Sequence, residues 1–271
     1  MSDTSPGVAL ITGASSGIGR AAALALAKQG FRVFGTSRRA EAPALPGVAM
    51  RSCDVTDDAS VADLVGGLLA EAGRIDLLVN NAGVGLFGAA EETSLEQAKA
   101  LFEVNLFGVI RMTNAVLPAM RQQRQGRIIN LSSVMGFVPA PFSTLYAASK
   151  HAVEGYSQSL DHELRTLGIR VSLVEPGFTR TAFEDNLIPS ARMIADYERA
   201  RSEVAAATAH GLQTGDAPEI VADCIVRAAT AAKPRLRYPA GGTARRVDLL
   251  RRFAPAAAFD ANLRKMFRLP V

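Results

Sequence analysis

Val8-Ala9-Leu10-Ile11-Thr12-Gly13-Ala14-Ser15-Ser16-Gly17-Ile18-Gly19 joins a short apolar run to a glycine-rich turn, and a helical pattern from Ile18 to Gln29 follows without a break. An apolar, β-branched run that stops in glycines and opens a helix reads as strand, turn, helix. Glycines at such a turn allow the backbone to approach a ligand closely and aim the helix N-terminal N–H groups at a pyrophosphate. The spacing here is GxxxGxG rather than GxGxxG, and no Gly-Lys-Ser/Thr ending follows, which argues against a nucleoside triphosphate site. Taken alone, such a turn is also ordinary loop chemistry.

Working outward, the same unit recurs. Phe31–Thr36 and Val48–Cys53 read as strands, and Ser60–Ala72 as a helix. Ile75–Asn80 is followed by a long helical pattern over Leu95–Arg121, and Arg127–Leu131 by another over Leu145–Leu167; Ile169–Val174 is a further strand. Strand and helix in alternation imply an α/β fold, a doubly wound parallel sheet with helices on both faces. Runs such as Ile128-Ile129-Asn130-Leu131 suit strands buried on both sides. Gly30 and Gly168 stand where left-handed helix caps are wanted. After Pro176-Gly177 the rhythm stops, and 178–215, with no obvious strand, reads as a lid over a strand end. Helical pattern returns over Pro218–Ala232, and Arg235–Tyr238 fits a last short strand. No repeat or linker divides residues 1–240, which read as one domain; 241–271 read as a basic amphipathic extension.

Composition excludes disorder and disulfide scaffolds, since 48% of the 271 residues are hydrophobic and only two are cysteines. Cys53 and Cys224 are far apart and lack neighbours at ligand spacing, so neither a disulfide nor a metal site is expected. His151, His162 and His210 read as packing or surface residues. The N-terminus carries no signal-like pattern, and the longest apolar stretches, such as Ala21–Ala27, fall short of a bilayer span, which points to a cytoplasmic protein. Charge is uneven: residues 1–232 carry 20 basic and 24 acidic side chains, whereas 233–271 carry 10 and 2. Such a basic end raises a nucleic-acid or membrane-surface partner.

Several further motifs lie along the chain: Asn80-Asn81-Ala82-Gly83, Asn105 in Val-Asn-Leu-Phe-Gly, Ser133 at a strand end, and Tyr146-Ala-Ala-Ser-Lys150. Tyr146 and Lys150, at i and i+4, share a helix face. A phenol titrates near about 10 in water, and a neighbouring ammonium favours its ionised form. With TGASSGIG at 12–19, these motifs in this order resemble the short-chain dehydrogenase/reductase family, strongly over about residues 7–181. Glu175-Pro-Gly-Phe-Thr-Arg-Thr181 and the basic extension are most similar to the branch containing 17β-hydroxysteroid and retinol dehydrogenases. The resemblance implies a single Rossmann domain of about seven strands in the order 3-2-1-4-5-6-7. It also implies an NAD(P)-dependent oxidoreductase that interconverts an alcohol and a carbonyl.

By that resemblance Tyr146 is the general acid in reduction and base in oxidation, Ser133 hydrogen-bonds the substrate oxygen, and Lys150 tunes Tyr146 and holds the nicotinamide ribose. Asn105 kinks its helix and binds water in a proton relay to the lysine. Gly13, Ser15, Ser16, Gly17, Ile18 and Gly19 form the dinucleotide turn. Asp54 and Val55 contact the adenine, Asn81, Ala82 and Gly83 abut the cofactor, and Pro176, Gly177, Thr179 and Thr181 complete its site. Just after the second strand, Ser37, Arg38 and Arg39 stand where an acidic residue would hold a ribose 2′-hydroxyl, and no Asp or Glu precedes Glu41. That favours the 2′-phosphate of NADP(H). The glycine-rich turn lacks a basic residue, which leaves NAD(H) use open.

Residues expected around the substrate are Val84, Leu86, Phe87, Val134, Met135, Phe137, Val138, Phe142, Phe178 and Phe183, with Leu187, Met193, Ile194 and Tyr197 from the lid. Few charges accompany them, so a hydrophobic ketone, aldehyde or alcohol is expected. Phe259, Leu263, Met266 and Phe267 make an apolar helical stripe in the extension, with Val247, Leu250 and Phe253 a poorer stripe before it. Docking on the chain's own body or a partner subunit is favoured over contact with a membrane surface. Arg38 and Arg39 have a local phosphate to meet, so nucleic acid is not expected. The two long helices suggest a homodimer or homotetramer. The competing functions are an NADP(H)-sensing regulator without chemistry, a membrane-surface dehydrogenase of lipids, retinoids or steroids, and a dehydratase or epimerase; the last lacks the longer substrate domain it would need.

Overall fold

A computed structural model describes residues 7–39, 43–181, 183 and 186–270. Chain order runs β1 (Val8–Ile11), α1 (Gly17–Lys28), β2 (Arg32–Ser37), β3 (Val48–Ser52), α2 (Asp58–Ala72), β4 (Leu77–Asn80) and a two-residue β5 (Gly85–Leu86). Then come α3 (Leu95–Phe102), α4 (Gly108–Gln123), β6 (Gly126–Leu131), α5 (Thr144–Leu164), β7 (Ile169–Pro176) and β8 (Leu187–Ile188). The chain finishes with α6 (Glu198–Gln213), α7 (Pro218–Thr230), β9 (Arg237–Ala240), α8 (Gly241–Phe253) and α9 (Ala256–Met266).

Seven strands form one sheet in the order β3-β2-β1-β4-β6-β7-β9. Every pairing in it is parallel. Without the small β5 and β8 this is the expected 3-2-1-4-5-6-7. The lid was expected to hold no strand, yet Leu187 and Ile188 pair in parallel with Gly85 and Leu86. Two residues are too short a run for a periodic signal, and only their partner strand defines them. The last strand starts at Arg237, two residues beyond the expected Arg235.

Alternation within each strand divides the core. Leu10, Phe34, Leu78, Ile128 and Val171 face α2, α4 and α5, where Leu64, Met112, Met120 and Leu160 meet them. Ile11, Val33, Val79, Ile129 and Val174 face α1 and α7, meeting Leu26, Val221 and Ile225. Local signals set the helix ends. Asp57 caps α2 by accepting from Ala59 N at 2.9 Å, and Ser94 and Gln97 form a reciprocal cap on α3. Gly168 ends the α5 region at φ +75°, and a Cβ there would sit 2.1 Å from the Arg124 carbonyl oxygen.

The run expected as one helix from Leu95 is interrupted by a π-helical turn over Glu103–Phe107, with Asn105 inside it. Leu95–Gln123 is nevertheless long and apolar enough, by length and composition, to cross a bilayer, so the expected shortfall of apolar stretches does not hold for it. Its apolar face is occupied: Met112, Val116 and Met120 are fully buried against the sheet. Its Arg111 donates to Val55 O at 2.7 Å and Glu103 Oε1 at 2.8 Å.

Asp161 on α5 pins the sheet to its helix layer. Its buried carboxylate accepts from Val171 N at 2.9 Å, Arg170 Nε at 2.9 Å and Arg165 Nε at 2.8 Å. Burial works to raise its pKa, but these donors together hold it below the usual carboxylate value. Its stabilising contribution is therefore full at neutral pH and is lost as pH falls through that lowered value. Asp161→Ala is expected to lower stability by about 2–3 kcal/mol in urea denaturation at neutral pH, with much less difference from the parent in strong acid.

Candidate active site

β1 ends five residues before Ser16, and the turn between β1 and α1 takes Gly13 to φ +66° and Gly17 to φ +52°, where a Cβ is strained. Gly19 is needed for another reason: a Cβ on it would lie 2.2 Å from Gly13 O and 2.4 Å from Asn81 Nδ2. Asn81 Nδ2 donates to Thr12 O at 2.9 Å and Gly13 O at 3.1 Å. In return the Thr12 hydroxyl oxygen accepts from Asn81 N and Ala82 N, both at 3.0 Å. The loops after β1 and β4 are thus one hydrogen-bonded unit. No acidic residue occupies the first turn of α1, and Ser16 makes no side-chain cap bond, so the helix N–H groups remain available to an anion.

A cavity of about 680 Å³ crosses the carboxyl ends of the strands. All of the expected cofactor and catalytic residues line it except Gly19 and Asn105. Gly19 sits behind the turn it allows to close. Asn105 is buried beneath Val84: its Nδ2 donates to Val84 O at 2.9 Å and its Oδ1 accepts from Val84 N at 2.9 Å. A further bond from Nδ2 reaches Ser149 Oγ at 3.2 Å. The Asn105 side chain is therefore a brace that ties the loop after β4 to α5. At the far end of the cavity, Arg38 and Arg39 are exposed and Ser37 Oγ accepts from Arg39 N at 3.1 Å. Asp54 accepts from Thr56 N at 2.9 Å; that bond first, opposed by burial and aided by Thr56 Oγ1 and the Arg38 charge, holds its carboxyl below the usual value.

Ser133, Tyr146 and Lys150 converge at the centre. Ser133 Oγ accepts from Met135 N at 3.1 Å, which leaves its own proton to be donated, here toward the Tyr146 hydroxyl oxygen. Tyr146 opens on the cavity, yet burial pushes its hydroxyl up to about 12, with the Ser133 hydrogen bond pulling the other way. Lys150 Nζ lies 5.8 Å from the Tyr146 ring centre and donates to Leu131 O at 2.8 Å. Burial brings the ammonium down to about 8, although Glu154 one turn below acts to raise it. The lysine was expected to depress the phenol; the shift found here is set by burial of the phenol, with the Ser133 hydrogen bond opposing it. Gly83 leaves room beside them, since a Cβ there would be 3.3 Å from Asn105 Oδ1 and 3.9 Å from Lys150 Nζ.

Of the apolar residues expected around the substrate, Val84, Leu86, Phe87, Val134, Met135, Val138, Phe178, Phe183 and Leu187 line the cavity. Phe137, Phe142, Met193, Ile194 and Tyr197 do not. Phe142 packs instead on Phe87 and Tyr197, at centroid distances of 6.0 and 6.3 Å. Met193 points outward at 65% exposure. The remaining wall comes from sequence-distant helices: Ala205 and Leu212 of α6, Val247 of α8, and Leu263, Met266 and Phe267 at the end of α9. Phe267 is buried in a cluster with Ala140 and Val204. The extension therefore packs on its own chain. The Phe259–Phe267 stripe divides, with Met266 at the rim, and Leu250 and Phe253 face away from the protein.

Two buried carboxylate clusters escaped the sequence reading. Glu92, fully buried, accepts from Ala89 N at 2.9 Å and Ile194 N at 2.8 Å and pairs with Arg201. The Ile194 N–H above all, against burial and with Ala89 and Arg201, holds its carboxyl below the usual value. Behind Lys150, Arg237 donates to Glu154 Oε2 at 2.8 Å and lies 3.0 Å from Glu175 Oε1. Burial, then the Glu154 carboxylate, pushes Glu175 up to about 8. The i+4 spacing of Glu154 from Lys150 was a usable signal; nothing local marks Glu92 or Glu175.

A doubly wound sheet with an anion-ready first turn and a Ser-Tyr-Lys cluster over its strand ends defines a dinucleotide-dependent oxidoreductase. Residues 7–191 match the short chain dehydrogenase family, and the chain belongs to it, acting on CH–OH and carbonyl groups. It is 46% identical over 181 residues to 3-ketodihydrosphingosine reductase of Bacteroides thetaiotaomicron, covering 67% of each chain. It is 38% identical over 257 residues to 17-beta-hydroxysteroid dehydrogenase type 1 of Mus musculus, covering 86% of this chain and 73% of that one. A short-chain dehydrogenase structure from Streptomyces avermitilis superposes with a TM-score of 0.84 at 35% identity, covering 99% of both chains. A Burkholderia cenocepacia relative of known structure is bound to NADP (TM-score 0.76, 27% identity, 95% and 97% covered), and a Burkholderia phymatum one to NAD (0.74, 29%, 88% and 90%).

Glu92→Ala is expected to loosen the segment over the cavity. Steady-state kinetics should show a several-fold higher KM for the carbonyl substrate, with the cofactor dissociation constant unchanged within about twofold.

Proposed function

We propose that this chain is an NADP(H)-preferring reductase and dehydrogenase of hydrophobic ketones, aldehydes and their alcohols, with Tyr146 as the general acid and base. The observation that carries this reading is the convergence of Ser133, Tyr146 and Lys150 on one cavity, between the expected dinucleotide residues and a set of apolar side chains that includes Val84, Leu86, Val138, Phe178 and Phe183. The dinucleotide fits the residues present: Gly13 and Gly17 turn at positive φ, where a Cβ would press on Ala82 and on Thr181, so the turn closes tightly against both loops, and the first turn of α1 carries no acidic side chain. Ser37, Arg38 and Arg39 would hold the 2′-phosphate, Asp54 and Val55 the adenine, and Asn81, Ala82 and Gly83 the middle of the cofactor. Pro176, Gly177, Thr179 and Thr181 would close over it, Thr181 lying against Gly17. When bound, the nicotinamide supplies or accepts the hydride.

The protein's part is placement and one proton. Ser133 donates its hydroxyl hydrogen bond to the carbonyl oxygen in place of Tyr146 and orients it. Tyr146, protonated throughout the physiological range, gives its proton to the same oxygen as it gains negative charge. Lys150, charged below about pH 8, stabilises the tyrosinate left behind. In the alcohol direction the steps run in reverse, with the fraction of Tyr146 that is ionised beside the Lys150 charge taking the alcohol proton. The apolar wall excludes water and selects a lipophilic partner. Self-association as a dimer or tetramer through α3–α4 and α5 completes the proposal, and sedimentation velocity should show no monomer at micromolar concentration.

The reading is tested by NADPH and NADH consumption against a panel of lipophilic ketones and aldehydes; silence across a broad panel overturns it. Tyr146→Phe is expected to cut turnover by about a thousandfold or more while NADPH binding, followed by fluorescence, stays intact. Arg38→Ala with Arg39→Ala should weaken NADPH binding roughly 10- to 100-fold and NADH binding little. For reduction, kcat/KM should be level below about pH 8 and fall above it, because the lowered lysine value means the ammonium is lost there. Lys150→Arg, whose charge persists, should move that fall to higher pH.

A further inference from the structure

Large apolar side chains face solvent along the C-terminal helices. Leu249, Leu250 and Phe253 of α8 are 56%, 54% and 74% exposed. At 3.6 residues per turn they share roughly a third of the helix circumference, with Arg246 among them and Arg245 and Arg252 along one border. The helix has already used its other side to hold the protein. Gly241 and Ala244 are buried, Val247 lines the cavity, and Arg251 donates to Phe137 O at 3.2 Å. The outer face is therefore a second surface and not the residue of poor docking.

Charge narrows what can cover it. Residues 241–270 carry seven basic and two acidic side chains, and neither Arg246 nor Arg252 has an ion-pair partner among the described residues. A second copy of the chain laid on this face would set Arg245, Arg246 and Arg252 against the same three arginines, which is repulsive. Nucleic acid would satisfy the arginines and leave Leu249 and Leu250 on a polar backbone. An anionic bilayer satisfies both sets: the apolar side chains enter the acyl boundary while the arginines meet lipid phosphates and extend toward the interface.

We propose that the outer face of α8 docks this protein on anionic lipid surfaces. Because Val247 on this helix and Leu263, Met266 and Phe267 after it wall the substrate cavity, and Met266 is 49% exposed at the rim, docking brings the mouth of the cavity to the bilayer. A lipophilic carbonyl compound then passes from the membrane to Ser133 and Tyr146 without crossing water. This delivery role rests on the proposed function; the docking does not.

The test uses the full chain and phosphatidylcholine vesicles with or without one part in three of phosphatidylserine. In flotation the protein is expected to rise with the anionic vesicles and about tenfold less with the neutral ones. Leu249→Glu with Phe253→Glu should abolish flotation, and Arg245→Ser, Arg246→Ser and Arg252→Ser together should weaken it about tenfold or more, as should high salt. Both variants should keep the parent melting temperature and the parent turnover of a water-soluble carbonyl substrate. Failure of the parent to float, or flotation that both variants retain, overturns the proposal. So does a dimer that Leu249→Glu with Phe253→Glu converts to monomer, because the face is then an interface between copies. Flotation is read without turnover, so a floating protein that reduces nothing sinks the proposed function and keeps the docking, whereas an active protein that stays down does the reverse.

Discussion

Parallel pairing of β1 with β4, β4 with β6 and β6 with β7 is the constraint on which the site depends. Strands that all run one way deliver all their carboxyl ends to one edge, and the loops leaving that edge must share a small volume. Gly13, Asn81, Ser133 and Gly177 come from four such loops. Thr12 and Asn81 lock the first two together through reciprocal side-chain bonds to each other's backbone, so neither loop can shift without the other. The remaining residues of the cleft are placed relative to that pair.

Burial gives the central side chains their chemistry and makes them costly. At neutral pH a charged Lys150 in its buried position costs the fold on the order of 3 kcal/mol, and that cost fades as pH rises from about 8 toward the ordinary 10.5. Leu131 O and the Glu154–Arg237 pair beneath it offset part of the cost. The same low-dielectric surroundings keep Tyr146 protonated, which suits a proton donor. The strain of the site is thus electrostatic more than conformational, and the rigid sheet beneath it is what holds the charges in place.

The C-terminal extension has two faces with different duties. Its inner side, through Val247, Leu263 and Phe267, finishes the apolar wall opposite the Ser-Tyr-Lys cluster. Its outer side keeps leucines, a phenylalanine and arginines in solvent. The excess of basic side chains at this end of the sequence is accordingly spread over an extension that walls part of the site, and Arg268 still reaches back to within 3.9 Å of Glu203 on α6.

Sequence alone determined the alternating α/β architecture, the glycine turn and the shared helix face of Tyr146 and Lys150, because each leaves a local mark: a period, a glycine where φ turns positive, or a fixed spacing along one helix; the strand order and the place of Ser133 beside that pair were legible only through resemblance to the family. It did not reveal which of the expected apolar residues would line the cavity, since Phe142 and Phe183 are the same residue type and differ only in what packs against them. Nor did it reveal Glu92 and Glu175, whose partners lie about a hundred and about sixty residues away. Asn105 was found by its motif, but its brace to Val84 was not. Tertiary structure decided these features, because burial and hydrogen-bond partnership arise between elements that the chain brings together only when the sheet has closed, and no local spacing encodes them.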